Sequence, residues 1–295
     1  MNPSLSIIIP NLHSPLIAEV VHAAEHQTVP ACEIIVIGQD RHSLTPPPAR
    51  FIRTERPLSA AAARNLGARH ASGDYLLFLD ADCIAAPDLV ERLLARHIEG
   101  RDVIGGGVVV EPSGYWTDCD NLLIFAPFLA ESLAGPRDEL PSLNLSISHE
   151  LFAALNGFDE RFAGAAGEDT DFCLRLRAAG HQLFFAPEAR IAHRPSRSTA
   201  HAVWSHLRAY GRAYYRIQRD HPALVWSPLA RLPRPLAGAV LAASPVLALA
   251  DAIALMRRHP AVARRPWALP GIAWAKIGWY WGAVEAALND RITIR

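Results

Sequence analysis

The sequence predicts an α/β fold: a mostly parallel sheet flanked by helices, followed by a helical, apolar and basic C-terminal region. Three observations carry that reading. Strand-length apolar runs alternate with helix-compatible stretches over the first third of the 295 residues. Those runs are uniformly apolar, as in strands covered by helices on both faces. Charge is also polarised along the chain. Residues 1–189 carry 13 basic and 25 acidic side chains, whereas residues 190–295 carry 16 basic and 4 acidic ones. The balanced total therefore hides two parts with different partners.

Leu5-Ser-Ile-Ile-Ile9 is a β-branched run ended by Pro10 and reads as a buried strand. Residues 15–27 suit a helix, with Ile17, Val20, Val21 and Ala24 at helical spacing. Glu33 to Ile37 is a second buried strand, Pro46 to Pro48 a loop, and Phe51 to Arg53 a short third strand. Ala60 to Ala71 is alanine-rich and helical, closed by Ser72-Gly73. Tyr75 to Leu79 is a fourth buried strand, and Pro87 to His97 another helix. Val103 to Val110 is a strand running through Gly105-Gly-Gly107, and residues 111–141 read as irregular and aromatic. Leu143 to Ser148 is a strand and His149 to Leu155 a short helix. Thr170 to Ala179 is a helix with Gly180 at its C-terminal end, and Leu183 to Ala192 a last strand. Open sheets of this kind bind ligands beyond the carboxyl ends of their strands. The composition changes near residue 200, which divides the chain into a domain over 1–200 and a helical region over 201–295.

Composition excludes several classes. Hydrophobic residues make up 51% of the chain, which rules out a disordered one. The four cysteines form no Cys-x-x-Cys pair, which argues against a zinc ribbon or a redox motif and fits a reducing compartment. The first apolar run is strand-length and has no basic start, so a secretory signal is not expected and the N-terminal part should face the cytoplasm.

Asp80-Ala81-Asp82 directly follows an apolar strand. In extended backbone residues i and i+2 point to one side. Two carboxylates there repel unless something positive sits between them, and Mg²⁺ or Mn²⁺ prefers such oxygen ligands. Solvated turn carboxylates are the plainer alternative. Glu168-Asp169-Thr170-Asp171 opens a helix, where the dipole favours acids. Either these acids simply cap the helix, or one projects into a cleft as a general base. Arg64 and Asn65 lie on the helix before the fourth strand, suited to a phosphate, an acid or a sugar, or to an ordinary surface.

Taken in order, these pieces resemble the family-2 glycosyltransferases of the GT-A fold. The matching stretches are Ser6 to Pro10, Glu33 to Ile37, Ala62-Ala-Arg-Asn-Leu-Gly67, Gly73 to Asp82, Gly157-Phe-Asp-Glu-Arg-Phe162, Gly167 to Asp171 with Arg175-Leu176, and Pro187 to His193. The resemblance covers roughly residues 4–195. It implies a nucleotide-diphospho-sugar donor, a hydroxyl acceptor, a Mg²⁺ or Mn²⁺ cofactor and inversion at the anomeric carbon. By position, Pro10 and Asn11 line the nucleotide pocket, Asp80 faces the ribose, and Asp82 holds the metal. Asp169 is the catalytic base, Glu168 touches the acceptor or braces the site, and Arg64 and Asn65 support the nucleotide side. His193 stands where some relatives place a metal or diphosphate contact. Relatives usually carry acids after the second strand; here Gly38-Gln39-Asp40 stands instead, with Gln39 and Asp40 as candidate readers of the base.

The C-terminal region holds an uncharged run, Leu236 to Ala250, extendable to Met256 past Pro245 and Asp251. A second apolar stretch, Trp267 to Val284, contains four tryptophans and one charge, Lys276. Neither is a clean span of about 20 apolar residues. Tryptophans beside clustered arginines suit a membrane interface. Interfacial or re-entrant helices, a spanning hairpin and a helical cap or oligomer contact all fit, and no motif supports nucleic-acid binding. The expected activity is an inverting, membrane-associated glycosyltransferase on the cytoplasmic face, with a lipid-linked or cell-envelope acceptor. Two alternatives stand beside it: a nucleotide-sugar-binding module of the same fold without catalysis, and a nucleotidyltransferase. Pro10-Asn-Leu-His-Ser14 supplies no Gly-rich triphosphate loop for the latter.

Overall fold

A computed structural model describes residues 3–162, 166–222 and 234–290. The chain divides into two compact units. One comprises Met1–Val109 and Phe128–Arg194, the other Val110–Pro127 and Pro195–Arg295. The change in composition near residue 200 thus falls close to one crossing between units. The chain also crosses near 110 and 127, where composition gives no sign.

The first unit is an α/β layer around one nine-stranded sheet, ordered β3-β2-β1-β4-β8-β6-β9-β5 with β7 beside β9. Its strands are β1 (Leu5–Leu12), β2 (Glu33–Gln39), β3 (Arg50–Arg53), β4 (Tyr75–Leu79), β5 (Cys83–Ala85), β6 (Val103–Val109), β7 (Gly135–Arg137), β8 (Asn144–Ser148) and β9 (Leu183–His193). The half β3-β2-β1-β4 is parallel. The other half is mixed: β8 runs antiparallel to both β4 and β6, and β9 lies parallel to β6. Two reversals restore the direction, so β6 and β9 run the same way as β4. The carboxyl ends of β1, β2, β4 and β9 therefore share one edge, and the candidate residues of those strands come to that edge.

Strand β1 continues past Pro10, where the sequence suggested a stop. It pairs with β4 only as far as Ile8, while its pairing with β2 reaches Leu12. Beyond Ile8 it is an edge on the β4 side, where the missing proline N–H costs no ladder bond. Ile7, Ile8 and Ile9 are fully buried, as are Leu76, Leu77 and Phe78 of β4. Helices α1 (Ile17–Glu25), α2 (Ala60–His70), α3 (Leu89–Ile98), α5 (His149–Ala154) and α6 (Glu168–Ala178) cover the sheet. Gly67 of α2 presses on Ile8 and Ile37, where an added Cβ would lie 2.5 Å from a methyl group. Close packing of α2 on the sheet brings Arg64, one turn earlier, to the strand ends.

In the second unit, helix α4 (Tyr115–Ile124) occupies part of the stretch expected to be irregular. Its buried residues include Thr117, Cys119, Asp120 and Asn121, so its inner face is not the apolar stripe that announces a helix. Helix α7 (Ala200–Asp220) is amphipathic, and α8 (Arg234–Arg258), the short α9 (Pro260–Ala263) and α10 (Leu269–Asp290) follow. Helices α7 and α10 touch through backbone. A Cβ at Gly278 or Gly282 would collide with the carbonyl oxygens of Trp204 or Arg208, and one at Gly211 with that of Trp279. The tryptophan-rich stretch is thus a packed helix with small residues at its contact. Arg208 donates to Glu285 across the same pair.

Candidate active site

Two acidic motifs far apart in sequence meet through one arginine. Arg64 is buried on α2; its Nη2 donates to Asp80 Oδ1 at 2.6 Å and its Nη1 to Glu168 Oε1 at 2.8 Å. Asp80 follows β4 and Glu168 opens α6, so the guanidinium ties the sheet edge to a helix start. Its Cζ also lies 5.6 Å from the Phe158 ring centre. Phe158 belongs to an aromatic cluster with Phe78, Phe152 and Phe172, ring centres 5.0–5.4 Å apart, which fixes the floor below the site.

The Asp80–Asp82 geometry departs from the extended-backbone expectation. Cys83 N donates to Asp80 O at 3.0 Å, closing a turn. The two carboxylates consequently have different partners. Asp80 binds Arg64, which supplies the positive charge that the sequence assigned to a cation. Asp82 Oδ2 lies 3.6 Å from His193 Nε2. Antiparallel pairing of β5 with β9 sets Cys83 opposite His193 and so brings Asp82 beside it.

Asp82, Cys83 and His193 offer ligand atoms within 4.8 Å of one another. Burial, reinforced by the charges of Asp82 and Asp80, pushes the Cys83 thiol well above its ordinary range, so it stays protonated. The remaining carboxylate oxygen and imidazole nitrogen fit a divalent cation such as Mn²⁺.

Asp169 sits in the first turn of α6 with Glu168 and Asp171, after Gly167 at φ 95°. Its Oδ1 accepts from Thr170 N at 2.8 Å and its Oδ2 from Ser142 N at 3.4 Å. Thr170 in turn donates to Glu139. The helix dipole favours the ionised form of Asp169. Burial overrides it: desolvation first, then the Glu139 charge, raise the Asp169 pKa despite Arg64. Glu168 is raised as well, by burial and then by Asp169, against the pull of Arg64. Its Oε2 has no hydrogen-bond partner among the described residues, nor has Arg64 Nε or Asn11 Nδ2.

The nucleotide-side candidates separate into two groups. Pro10 and Asn11 end β1 at the shared edge; Asn11 Oδ1 accepts from Ser14 N at 2.9 Å, and Ser14 Oγ donates to Ala81 O at 2.5 Å. That pair links the loop after β1 to the Asp80–Asp82 turn. Gly38, at φ 130°, faces the Asn11 carbonyl so closely that no side chain fits. Gln39 ends β2 with its Nε2 turned to the carbonyls of Thr54 and Glu55 at 3.3 Å. Asp40 is buried and accepts from Thr45 N and Oγ1 at 2.7 Å, which holds its own loop closed. Asn65 is also engaged internally: Nδ2 donates to Phe158 O and Glu160 Oε1, and Oδ1 accepts from Phe158 N. Asn65 thereby clamps the Gly157-Phe158 stretch.

Sequence reasoning passed over Ser14 and Ser142, which bond Asn11 and Asp169, and Glu139, which accepts from Thr170 and acts on Asp169 through its charge. It also read Arg175 only as part of a motif. Its Nε donates to Asp171, and its Nη1 and Nη2 donate to the carbonyls of Leu155 and Gly157, bracing the turn that leads to Phe158.

Residues 6–121 match the family model described as glycosyl transferase family 2, and residues 130–197 match one described as the N-terminal domain of galactosyltransferase. A validoxylamine A glucosyltransferase of Streptomyces hygroscopicus subsp. jinggangensis is 29% identical over 194 residues, covering 56% of this chain and 45% of that protein. Glycosyltransferase AglE of Haloferax volcanii is 25% identical over 205 residues, covering 65% of this chain and 67% of that protein. The chain thus spans less than half the length of the first of these relatives. The crystal structure of GalNAc-T7 with UDP, GalNAc and Mn²⁺ shares the fold, with a TM-score of 0.56 at 17% identity over 74% of this chain and 48% of that one. The matches and the shared fold agree: residues 6–121 are similar to glycosyl transferase family 2, residues 130–197 to a galactosyltransferase domain, and the fold is of the GT-A kind.

Proposed function

We propose that this chain transfers a sugar from a nucleotide-diphosphate donor to a hydroxyl acceptor, with inversion at the anomeric carbon. The observation that carries the reading is the bridge from Asp80 through buried Arg64 to Glu168, which draws the donor-side turn and the acidic helix start together. Asp169 takes the proton from the acceptor hydroxyl. That oxygen bonds to the anomeric carbon as the bond to the diphosphate breaks on the opposite face. Burial raises the Asp169 pKa toward neutral pH, where the carboxylate is a stronger general base yet still ionised often enough to act. Glu168 braces the site through Arg64, and Asn65 holds the Phe158 floor.

Pro10 and Asn11 line the nucleotide end, and the open Asn11 Nδ2 suits an acceptor atom of the base or ribose. Gln39 and Asp40 shape that pocket from the end of β2. Asp82 and His193 would hold Mg²⁺ or Mn²⁺. When bound, such an ion neutralises diphosphate charge and improves the leaving group. The basic, apolar second unit supports a lipid-linked or cell-envelope acceptor.

Nucleotide-diphosphate release from a panel of nucleotide sugars, with Mn²⁺, with Mg²⁺ or with EDTA, tests the reading. Slow metal-dependent hydrolysis of at least one donor is expected. Donor binding without any turnover, with acceptors supplied, would instead identify an inert binding module. Asp82→Ala is expected to abolish the metal's contribution to donor affinity, and an unchanged contribution would remove Asp82 from the site.

A further inference from the structure

Helix α8 is built inside out. Its buried residues are Ala237, Ser244, Ala248 and Ala252, all small. Five of its large apolar side chains are exposed: Val246 is 73% exposed, Leu236 50% and Leu249 45%, with Leu247 and Ile253 beside them, while Val240, Leu241, Leu255 and Met256 are half-buried. A helix packed in water does the reverse. At about 100° per residue, the buried four fall in a stripe of about 80°, and the five exposed ones spread over about 160°. One protein partner, a second copy included, covers a single face of a helix. Hydrocarbon covers every face that α10 leaves bare.

Length and charge agree with a bilayer. Leu236–Arg258 has 23 residues with mean hydropathy 2.0 over its most apolar stretch. That is about 34 Å of helix against a hydrocarbon core of about 30 Å. Its single acid, Asp251, accepts from Tyr280 Oη at 3.0 Å and lies 3.7 Å from Lys276 Nζ, both on α10. A charge in hydrocarbon needs such partners. Arg257 and Arg258 end the helix exposed, and Arg264 and Trp267 are exposed just beyond. Arginine and tryptophan are the side chains that anchor a helix end at anionic headgroups.

We propose that α8 is immersed in the hydrocarbon of a lipid bilayer, with Arg257 and Arg258 at an anionic headgroup layer. The test uses the full chain carrying Cys32→Ser and Val246→Cys, with a nitroxide at position 246. On phosphatidylcholine–phosphatidylglycerol vesicles the label should become more accessible to oxygen than to a water-soluble nickel chelate. Nickel-chelate access on the vesicles would overturn the proposal. So would spin–spin broadening in vesicle-free buffer, which would assign the face to a second copy. In flotation, Val246→Glu with Leu249→Glu should cut vesicle binding by on the order of a hundredfold, with an unchanged circular dichroism spectrum. Undiminished flotation would count against immersion. Arg257→Gln with Arg258→Gln should weaken binding to anionic vesicles by about thirtyfold and leave neutral vesicles unaffected. Equal loss on both vesicle types would refute the headgroup contact.

Discussion

Each unit buries a cluster of charges, and the two clusters are opposites. In the first, one base, Arg64, lies between two acids, Asp80 and Glu168. In the second, one acid, Asp120, lies between two bases: Arg197 Nε donates to it at 2.6 Å, and His206 Nδ1 lies 2.9 Å from it. The Asp120 cluster is closed. Thr117 completes it by donating to the Arg197 carbonyl, and no buried side-chain atom of Asp120, Arg197 or His206 lacks a partner among the described residues. The Arg64 cluster is open, with Arg64 Nε and Glu168 Oε2 unpartnered. Proton affinities diverge likewise. Burial raises Asp120, but His206 and Arg197 outweigh it and hold the acid below its ordinary range. Burial wins at Glu168 and Asp169. Buried charge alone therefore does not mark a site. At Arg64 and Glu168 the open atoms lie beside the donor-side turn and the acidic helix start, where a ligand would find partners.

The largest effect that could break this contrast is on turnover. Asp169→Asn should lower transfer by about 10²–10⁴-fold while donor affinity, read by titration, stays unchanged. Asp120→Asn should leave turnover per folded molecule unaltered. If both variants lost turnover equally, the closed cluster would belong to the reaction too. Stability comes next. Arg64→Ala strands two acids and Asp120→Ala strands two bases, so each should cost about 3–5 kcal/mol in urea unfolding. Arg64→Ala should also abolish transfer, whereas the folded fraction of Asp120→Ala should turn over normally. A smaller loss, about 1–3 kcal/mol, is expected for Gly282→Ala, whose new Cβ has to push α7 and α10 apart at the Arg208 carbonyl. An unchanged urea midpoint would mean that the helices are not in backbone contact there.

How much of this was legible depended on whether a feature is local. Strand β4 was read with its observed ends, Tyr75 and Leu79, because five apolar residues in extended backbone need no partner to be recognised. Asn156, next to Gly157, adopts φ 58°, a conformation that asparagine tolerates better than most residues. Strand β5 was missed because three residues carry no period. The acidic motifs were legible, and so was Arg64 as a partner for an acid; which two acids it joins was not, since Glu168 is 104 residues from Arg64. Nor could the chain announce that a backbone bond from Cys83 to Asp80 turns two neighbouring carboxylates toward different partners. In α10 the spacing of Gly278 and Gly282, four apart, sets the backbone contact with α7, a signal that the tryptophans around them mask.

The smallest effect is also the sharpest test of the opposition between clusters, because it changes sign. An aspartate titrates near 3.9 in an unfolded chain. Folding raises Asp169 above that, so between the two values the folded state holds more protons than the unfolded one. Stability then falls as pH rises through this window, and above it the protein bears the full cost of a buried charge. Asparagine has no charge to bury. Asp169→Asn should thus raise Tm by roughly 2–4 °C at neutral pH, with the gap closing as pH falls toward about 4. Asp120 runs the other way. Its pKa is depressed on folding, so its stabilisation is present above the ordinary carboxylate range and is lost as pH falls. Asp120→Asn should therefore lower Tm at neutral pH, by an amount that shrinks in acid. Melting curves of the two variants from acid to neutral pH should diverge in opposite directions from the wild type. Parallel shifts of the same sign would mean that the two carboxylates share one kind of environment, and the distinction between an open and a closed cluster would fail.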